Sequence, residues 1–545
     1  MSAHATLLSA AFQGIEGLLV EIEVDVGSGL PQVVLLGLPD TAVREARDRV
    51  RAALRNEGYE FPPRKVTVNL APASVRKEGP LYDLPIALGI LAATGQLGLD
   101  AGTRLEGWAA VGELSLDGRT RPVRGILPMA LAARARGLRG ILVPRANASE
   151  AALVKGLDVV PVARLSEAVG HVTGALALER ASPPVLDDGP RGEAEAPSPD
   201  GDVLDLADVR GQELAKAALE VAAAGGHNVI FTGPPGTGKT MLARRLPGLL
   251  PPLQADEALE VTRIWSVAGL LRPDEPLVRR RPFRAPHHTV SDAGLIGGGP
   301  HPRPGEISLA HRGVLFLDEL TEFGRRTLET LRQPLEEGRV RVGRAQGTLE
   351  FPAECLCVGA YNPCPCGFHG HARRPCACGE LARARYLSRL SGPLLDRFDI
   401  HVALQPVRPE DLAGPPRGPT TGEVRARVEG ARAMQAGRCG GRRRRLNADL
   451  GGRALRAACR MGAEAERLLQ RTAEVHALSA RAQTRLARVA RSIADLEGAE
   501  AVETRHVALA AQMHAPERAP PGGGVAREAA REARILDRRV APALG

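Results

Sequence analysis

Lys239 and Thr240 end the run Gly233, Pro234, Pro235, Gly236, Thr237, Gly238, Lys239, Thr240, where glycines, an ammonium and a hydroxyl stand as a polyphosphate would need them. Gly233, Gly236 and Gly238 let successive backbone N–H groups curl around an anion. A helix starting directly behind them aims its positive dipole end at it. Lys239 would reach the β- and γ-phosphates of ATP, and the Thr240 hydroxyl would ligate Mg2+. Such a pattern also arises by chance as a structural glycine turn, so its neighbours decide. The apolar run Asn228-Val-Ile-Phe-Thr232 precedes it, and Met241-Leu-Ala-Arg-Arg-Leu246 reads as helix. Only five of the 72 basic residues are Lys, so a lysine kept where a compact point charge is required is informative.

Three further sets of residues could share this chemistry. Gly313-Val-Leu-Phe-Leu-Asp318-Glu319 is an apolar strand ending in two carboxylates: Asp318 would hold Mg2+ through water, and Glu319 would orient and deprotonate the attacking water. The plainer alternative is an acidic pair that merely ends a buried strand. A second apolar run, Cys355-Leu-Cys-Val-Gly-Ala360, leads to Asn362, whose amide fits a polar group that positions water. Cys364, Cys366, Cys376 and Cys378 then place four thiols within fifteen residues, the ligand set of a structural Zn2+ site. Their C-x-C spacing is tighter than usual, His369 and His371 lie between the pairs as alternative ligands, and free thiols remain the other reading. Cys355 and Cys357 alternate within a strand and read as core, with Cys439 and Cys459 unassigned.

The elements that must position these groups divide the chain. Residues 1–178 alternate β-like runs (Leu18–Val26, Val33–Leu36, Val66–Leu70, Ile141–Val143) with helical segments over Thr41–Asn56 and Pro85–Ala93, an α/β pattern. Across 179–202 the periodicity gives way to five prolines and seven acidic residues, read as an exposed linker. The phosphate-loop module spans 203–408, with a Cys-rich insert at 364–378. A second Pro/Gly-rich linker covers 409–422, an all-helical segment 423–513 and a mobile tail 514–545. At 545 residues the chain needs several cores. No apolar stretch reaches a membrane span, no signal peptide opens it, and a cytoplasmic location with reduced cysteines is expected.

Net charge is +9, which permits a nucleic-acid partner without demanding one. The candidates are Arg339, Arg341 and Arg344, alternating on one face of a β-hairpin, and Arg442 to Arg445; for each the alternative is a solvated face. Aromatic residues make up only 3%, so any grip on DNA would be electrostatic and sequence-blind rather than built on base stacking.

These motifs resemble the AAA+ ATPases. The stretches Arg281-Pro-Phe-Arg-Ala-Pro-His-His288, Gly297-Gly-Gly299, Pro304–His311, Leu390–Asp399, Leu478–Arg481 and Arg488–Leu496 resemble the magnesium-chelatase-like ComM/YifB family in particular, over about residues 1–513. The resemblance implies an N-terminal Lon-protease-like α/β domain, a P-loop AAA+ αβα module with a parallel sheet, and a C-terminal all-helical lid. It implies Asn362 as sensor 1, Arg397 as an arginine finger reaching a neighbouring subunit, and Arg481 as sensor 2. Arg397 could instead pair with Asp396 or Asp399, and Arg485 one turn on competes with Arg481. Lys77-Glu-Gly-Pro80 and Val111–Leu127 resemble Lon protease, but Leu81 and Leu127 stand where its serine and lysine would be, so serine–lysine proteolysis is not expected. The implied function is a hexameric ATP-driven DNA motor promoting branch migration in homologous recombination of DNA taken up by natural transformation. The rival is a chelatase- or chaperone-type remodeller of a protein partner.

Overall fold

In strand Glu16–Gly27, Val20, Ile22, Val24 and Val26 point into the protein while glutamates and an aspartate between them point outward. This period-2 pattern pairs it in antiparallel register with Ala3–Gln13, and Gly14 makes the turn at φ +63°. The two strands lie at the centre of a seven-stranded sheet ordered Gln32–Leu36, Lys65–Ala71, Glu16–Gly27, Ala3–Gln13, Trp108–Ala110, Gly140–Pro144, Asp158–Val162. Helix Thr41–Asn56 occupies the span read from sequence: Asp40 caps it by accepting from the Val43 amide at 2.8 Å, and Val43, Ala46, Val50 and Leu54 form its inward face. Helix Asp83–Ala93 is buried nearly all round against the two central strands. Leu81 and Leu127 are core residues of this body. The computed structural model describes residues 3–98, 100–183, 204–299, 302–344, 347–371, 374–407, 418–438 and 445–514. Most of both linkers, Cys439, Arg442 to Arg444 and nearly all of the tail lie outside the described residues.

The second sheet is parallel throughout and ordered Phe283–Arg284, Val314–Leu317, Leu356–Tyr361, Val229–Thr232, Ile400–Ala403. The three central strands are buried along their whole length, which explains why they read as unbroken apolar runs. Helices Glu213–Gly225, Lys239–Leu249 and Ala255–Ala268 belong to this αβα module. Five helices, Thr421–Arg438, Gly452–Cys459, Ala463–Val475, Ala480–Leu496 and Thr504–Gln512, form the C-terminal lid and share one apolar core with the module. Inside the lid, the fully buried Arg491 and Asp495 pair at 2.8 Å, and Arg438 donates to the same carboxylate. The chain is thus α/β, with a mixed-sheet first body, a parallel AAA+ module and a helical lid.

Two boundaries differ from the sequence reading. Residues 179–183 are not simply linker: the Ala181 amide donates to Val159 O at 2.8 Å and Arg180 pairs with Asp158, because the edge strand Asp158–Val162 has carbonyls to satisfy. The first lid helix begins at Thr421 rather than 423, since Asp205 accepts from the Thr421 amide at 2.8 Å and fixes its start. The first body docks on the module through helix Ile126–Ala135 and helix Ala255–Ala268. Buried Glu150 accepts from Ser266 at 2.5 Å, the Gly125 amide donates to Ser266 O, and Arg263 pairs with Glu16 at 2.6 Å.

Candidate functional site

Strand Val229–Thr232 delivers the glycine-rich loop to the C-terminal edge of the parallel sheet, and helix Lys239–Leu249 leaves it. Gly236 and Gly238 hold φ of +78° and +90°, values open to glycine and strained for other residues, and a Cβ on either would meet nothing within 4 Å. The loop is therefore an open cradle. Lys239 Nζ donates to Gly233 O at 2.6 Å, Pro234 O at 3.0 Å and Asn362 Oδ1 at 3.0 Å. Burial lowers the pKa of this ammonium, and Asp318 and Glu319 act in the opposite direction. A half-buried cation held by its own loop carbonyls is what an anion would take over. Thr237 and Gln212 brace the loop from below, through Thr237 to Pro234 O at 2.9 Å and Gln212 to Thr237 O at 3.2 Å.

The sheet order puts Leu356–Tyr361 directly beside the phosphate-loop strand and Val314–Leu317 one strand further out. Asn362 and Asp318 therefore arrive at the same edge as Lys239 from two separate strands. Thr240 donates to Asp318 Oδ2 at 2.8 Å, the arrangement a divalent ion shared by hydroxyl and carboxylate requires. Glu319 sits at φ +50°, a left-handed conformation that costs a non-glycine residue about 1–3 kcal/mol and is found mostly where geometry matters to function. Its carboxylate lies 3.5 Å from His288 Nδ1, and His288 stacks on His287 with ring centroids 4.0 Å apart. The residues present thus fit Mg2+ and ATP: Lys239 and the loop amides for phosphate, Thr240 and Asp318 for the ion, Glu319 and Asn362 for water.

Arg397 and Arg481 are not at this edge. Asn228, just before the phosphate-loop strand, accepts from the Asp399 and Ile400 amides and donates to Arg397 O at 2.9 Å, so Arg397 lies at the opposite end of the sheet. Four residues of strand, about 13 Å, separate it from its own phosphate loop. Neither alternative pairing is formed: Asp396 is held by Arg485 at 3.0 Å and Asp399 by His227 at 3.0 Å. Arg397 instead meets the exposed Glu336 at 2.5 Å, and its buried Nε has no partner among the described residues. Arg481 is exposed in the first turn of helix Ala480–Leu496, one turn before Arg485, and no hydrogen bond or ion pair joins it to Lys239, Asp318 or Asn362 among the described residues. Buried Arg485 is committed elsewhere: it donates to Phe398 O at 3.0 Å and Leu395 O at 3.5 Å, clamping the loop that carries Arg397.

The four cysteines of the insert come together. Cys364, Cys366 and Cys376 have sulfurs 3.4–3.6 Å apart, and with Cys378 all four lie within 4.8 Å of one another. Tetrahedral Zn–S bonds of about 2.3 Å would place sulfurs about 3.8 Å apart. Backbone N–H of Phe368 leads in bringing the Cys366 thiol down to about 6. His369 and His371 turn away, toward Arg383 and the Arg374 amide. The thiols form a cluster able to hold a metal; Cys357 and Cys459 are buried core. In hairpin Arg339–Arg344 and Gly347–Pro352, Arg339 and Arg341 share Glu350, and Arg341 also pairs with Glu337.

Residue-level reading missed His288, Glu336 and the clamp role of Arg485. His288 was visible within Arg281–His288, yet nothing along the chain ties it to Glu319, which lies 31 residues on. Known proteins resemble the chain over nearly its whole length. Residues 205–412 match the family model "Magnesium chelatase, subunit ChlI", 22–147 match "Subunit ChlI of Mg-chelatase", and 418–514 match its C-terminal model. An uncharacterised protein of Mycobacterium tuberculosis is 46% identical over 491 residues, 90% of this chain and 94% of that one. YifB of Escherichia coli is 42% identical over 508 residues, and competence protein ComM of Haemophilus influenzae 42% over 510, each spanning 93% of this chain and 96% of the relative. With phosphate loop, paired carboxylates and lid all inside that near full-length similarity, the chain belongs to the magnesium-chelatase-like ComM/YifB family.

Proposed function

We propose that the protein is a ring-forming ATP hydrolase that drives DNA, acting in branch migration during homologous recombination of DNA taken up by natural transformation. The observation that carries the hydrolase part is the convergence of Lys239, Thr240, Asp318, Glu319 and Asn362 at one sheet edge, with Arg397 at the other. Loop amides and Lys239 bind and orient the phosphates. Thr240 and Asp318 would hold Mg2+, which when bound would draw off negative charge developing on the phosphates. Glu319 takes the proton of the attacking water, Asn362 fixes where that water sits, and His288 holds the Glu319 carboxylate in reach. Arg397, unable to serve its own loop, supplies charge to the nucleotide of a neighbouring subunit, and exposed Arg481 acts as sensor 2. A closed ring, expected to be a hexamer, gives every site such a neighbour. We assign Zn2+ to the four cysteines.

For DNA, the support is the named competence relative together with the paired strands Arg339–Arg344 and Gly347–Pro352, the first of which stands against strand Gly297–Gly298. Salt bridges from Arg339 and Arg341 to Glu350, and from Arg341 to Glu337, favour the second reading, a remodeller acting on a protein, because these carboxylates offset the charge open to phosphates. ATPase rate measured with and without single-stranded and branched DNA separates the two. A DNA motor is stimulated several-fold, and Arg339→Ala/Arg341→Ala loses that stimulation while keeping the basal rate. Equal rates at all DNA concentrations would discard the DNA reading.

A further inference from the structure

We propose that the four-cysteine cluster is a working part of the nucleotide site: its metal braces the phosphate loop, so metal and nucleotide bind with linked affinities. This rests on the ATP-hydrolase reading above. Asn362, which accepts from Lys239 at 3.0 Å, is two residues from Cys364, whose side chain is completely buried. Directly after the second ligand, Cys366, Gly367 turns at φ +81° and lies on the phosphate loop: a Cβ there would come within 2.6 Å of Pro235 Cδ. Gly367 N donates back to Cys364 O at 2.9 Å, so the turn that presses on Pro235 is also the turn that aims two sulfurs.

The far end of the insert is tied to the site as well. Helix Glu380–Leu387 follows Cys378, and its Tyr386 hydroxyl accepts from Thr321 Oγ1 at 2.6 Å, two residues beyond Glu319. Among the described residues, 362–379 contain no helix or strand, so no backbone ladder holds this segment in shape. Contacts of 3.4–3.6 Å among Cys364, Cys366 and Cys376 hold the sulfurs together only weakly, whereas a metal joins all four by bonds. Loss of the metal frees both Gly367 and the chain leading back to Asn362. Conversely, phosphate held by the loop fixes Pro235 and Lys239, and so favours the geometry in which the sulfurs converge.

Linkage makes the test symmetric: whatever factor metal applies to nucleotide affinity, nucleotide must apply to metal affinity. Zinc affinity of the full-length protein is measured by competition with a chelator of known strength, in reducing buffer, with and without saturating non-hydrolysable ATP analogue. Nucleotide affinity is measured on zinc-loaded and zinc-stripped protein. We expect one zinc per chain and the same factor in both directions, about 5-fold or more. Equal nucleotide affinity with and without zinc overturns the bracing alone. A chain that holds zinc but binds no nucleotide fails the hydrolase reading itself. Because stripping could unfold the insert, Pro235→Ala is the second arm: it keeps one zinc per chain and the linkage factor falls toward one. Full wild-type linkage in Pro235→Ala would show that coupling runs through unfolding and not through the loop, and would overturn the proposal.

Discussion

At the scale of residues, Lys239 and Glu319 do separable work although both lie at one end of one sheet. Lys239 is desolvated and tied to Gly233 O, Pro234 O and Asn362, so removing its charge takes away the main counterion for phosphate. Glu319 touches none of these groups; its carboxylate faces His288. Lys239→Ala is therefore expected to lose nucleotide binding. Glu319→Gln should bind ATP as wild type does and turn it over about 100-fold more slowly or worse, since only the proton acceptor is gone. Equilibrium binding of a fluorescent nucleotide beside steady-state turnover distinguishes the two. Comparable turnover in Glu319→Gln and wild type would remove Glu319 from its role.

At the scale of elements, the contact between helix Ile126–Ala135 and helix Ala255–Ala268 contains a titratable group. Glu150 is buried between them, accepting from the Leu127 amide at 3.0 Å and Ser266 Oγ at 2.5 Å, and burial pushes its carboxyl up to about 7 from 4.5. Between those two values the folded chain carries a proton that the unfolded chain has released. The folded state thus binds more protons there, and its stability falls as pH rises through that window. Glu150→Gln keeps a neutral side chain at every pH. Its thermal midpoint is expected to decline less than the wild-type midpoint between pH 5 and pH 8. Parallel declines in the two proteins would show that Glu150 does not carry this dependence. Leu127 donating its amide to this carboxylate also places that position in a packed interface, consistent with the lack of a catalytic base there.

At the scale of the whole molecule, Arg397 and the phosphate loop occupy opposite ends of the same sheet, so in the proposed ring the arginine at each site would come from a neighbouring chain. Arg397→Ala should bind ATP normally and hydrolyse it on the order of 1,000-fold more slowly. Arg485→Ala should resemble it, with unchanged nucleotide affinity, because the carbonyls of Leu395 and Phe398 lose the guanidinium that holds the Arg397 loop. Mixing Arg397→Ala with Lys239→Ala rebuilds sites with a good loop on one chain and a good arginine on its neighbour, and ATPase activity should recover in part. If subunits demonstrably exchange and no mixing ratio exceeds the two variants measured separately, action between subunits is refuted. No helix among the described residues is long and apolar enough to cross a membrane.

The phosphate loop, Asp318, Glu319 and the four thiols were legible along the chain because each is a short-range pattern: local backbone geometry, strand ends and ligand spacing are set by neighbours in sequence. The central strands announced themselves as unbroken apolar runs because both of their faces are covered. Strand Ala3–Gln13 is missing from the β-like runs read along the chain, because its small, polar and apolar residues keep no strict alternation and its partner Glu16–Gly27 supplies the register. What tertiary structure alone decided are the relations between distant segments. Sheet order brought Asn362 onto Lys239 and His288 onto Glu319; the lid sent Arg485 to the Arg397 loop and left Arg481 exposed. The physical reason is that a pair such as Lys239 and Asn362, 123 residues apart, meets only when the strands between them have chosen their order, and that choice is made by burial of the whole sheet rather than by either residue.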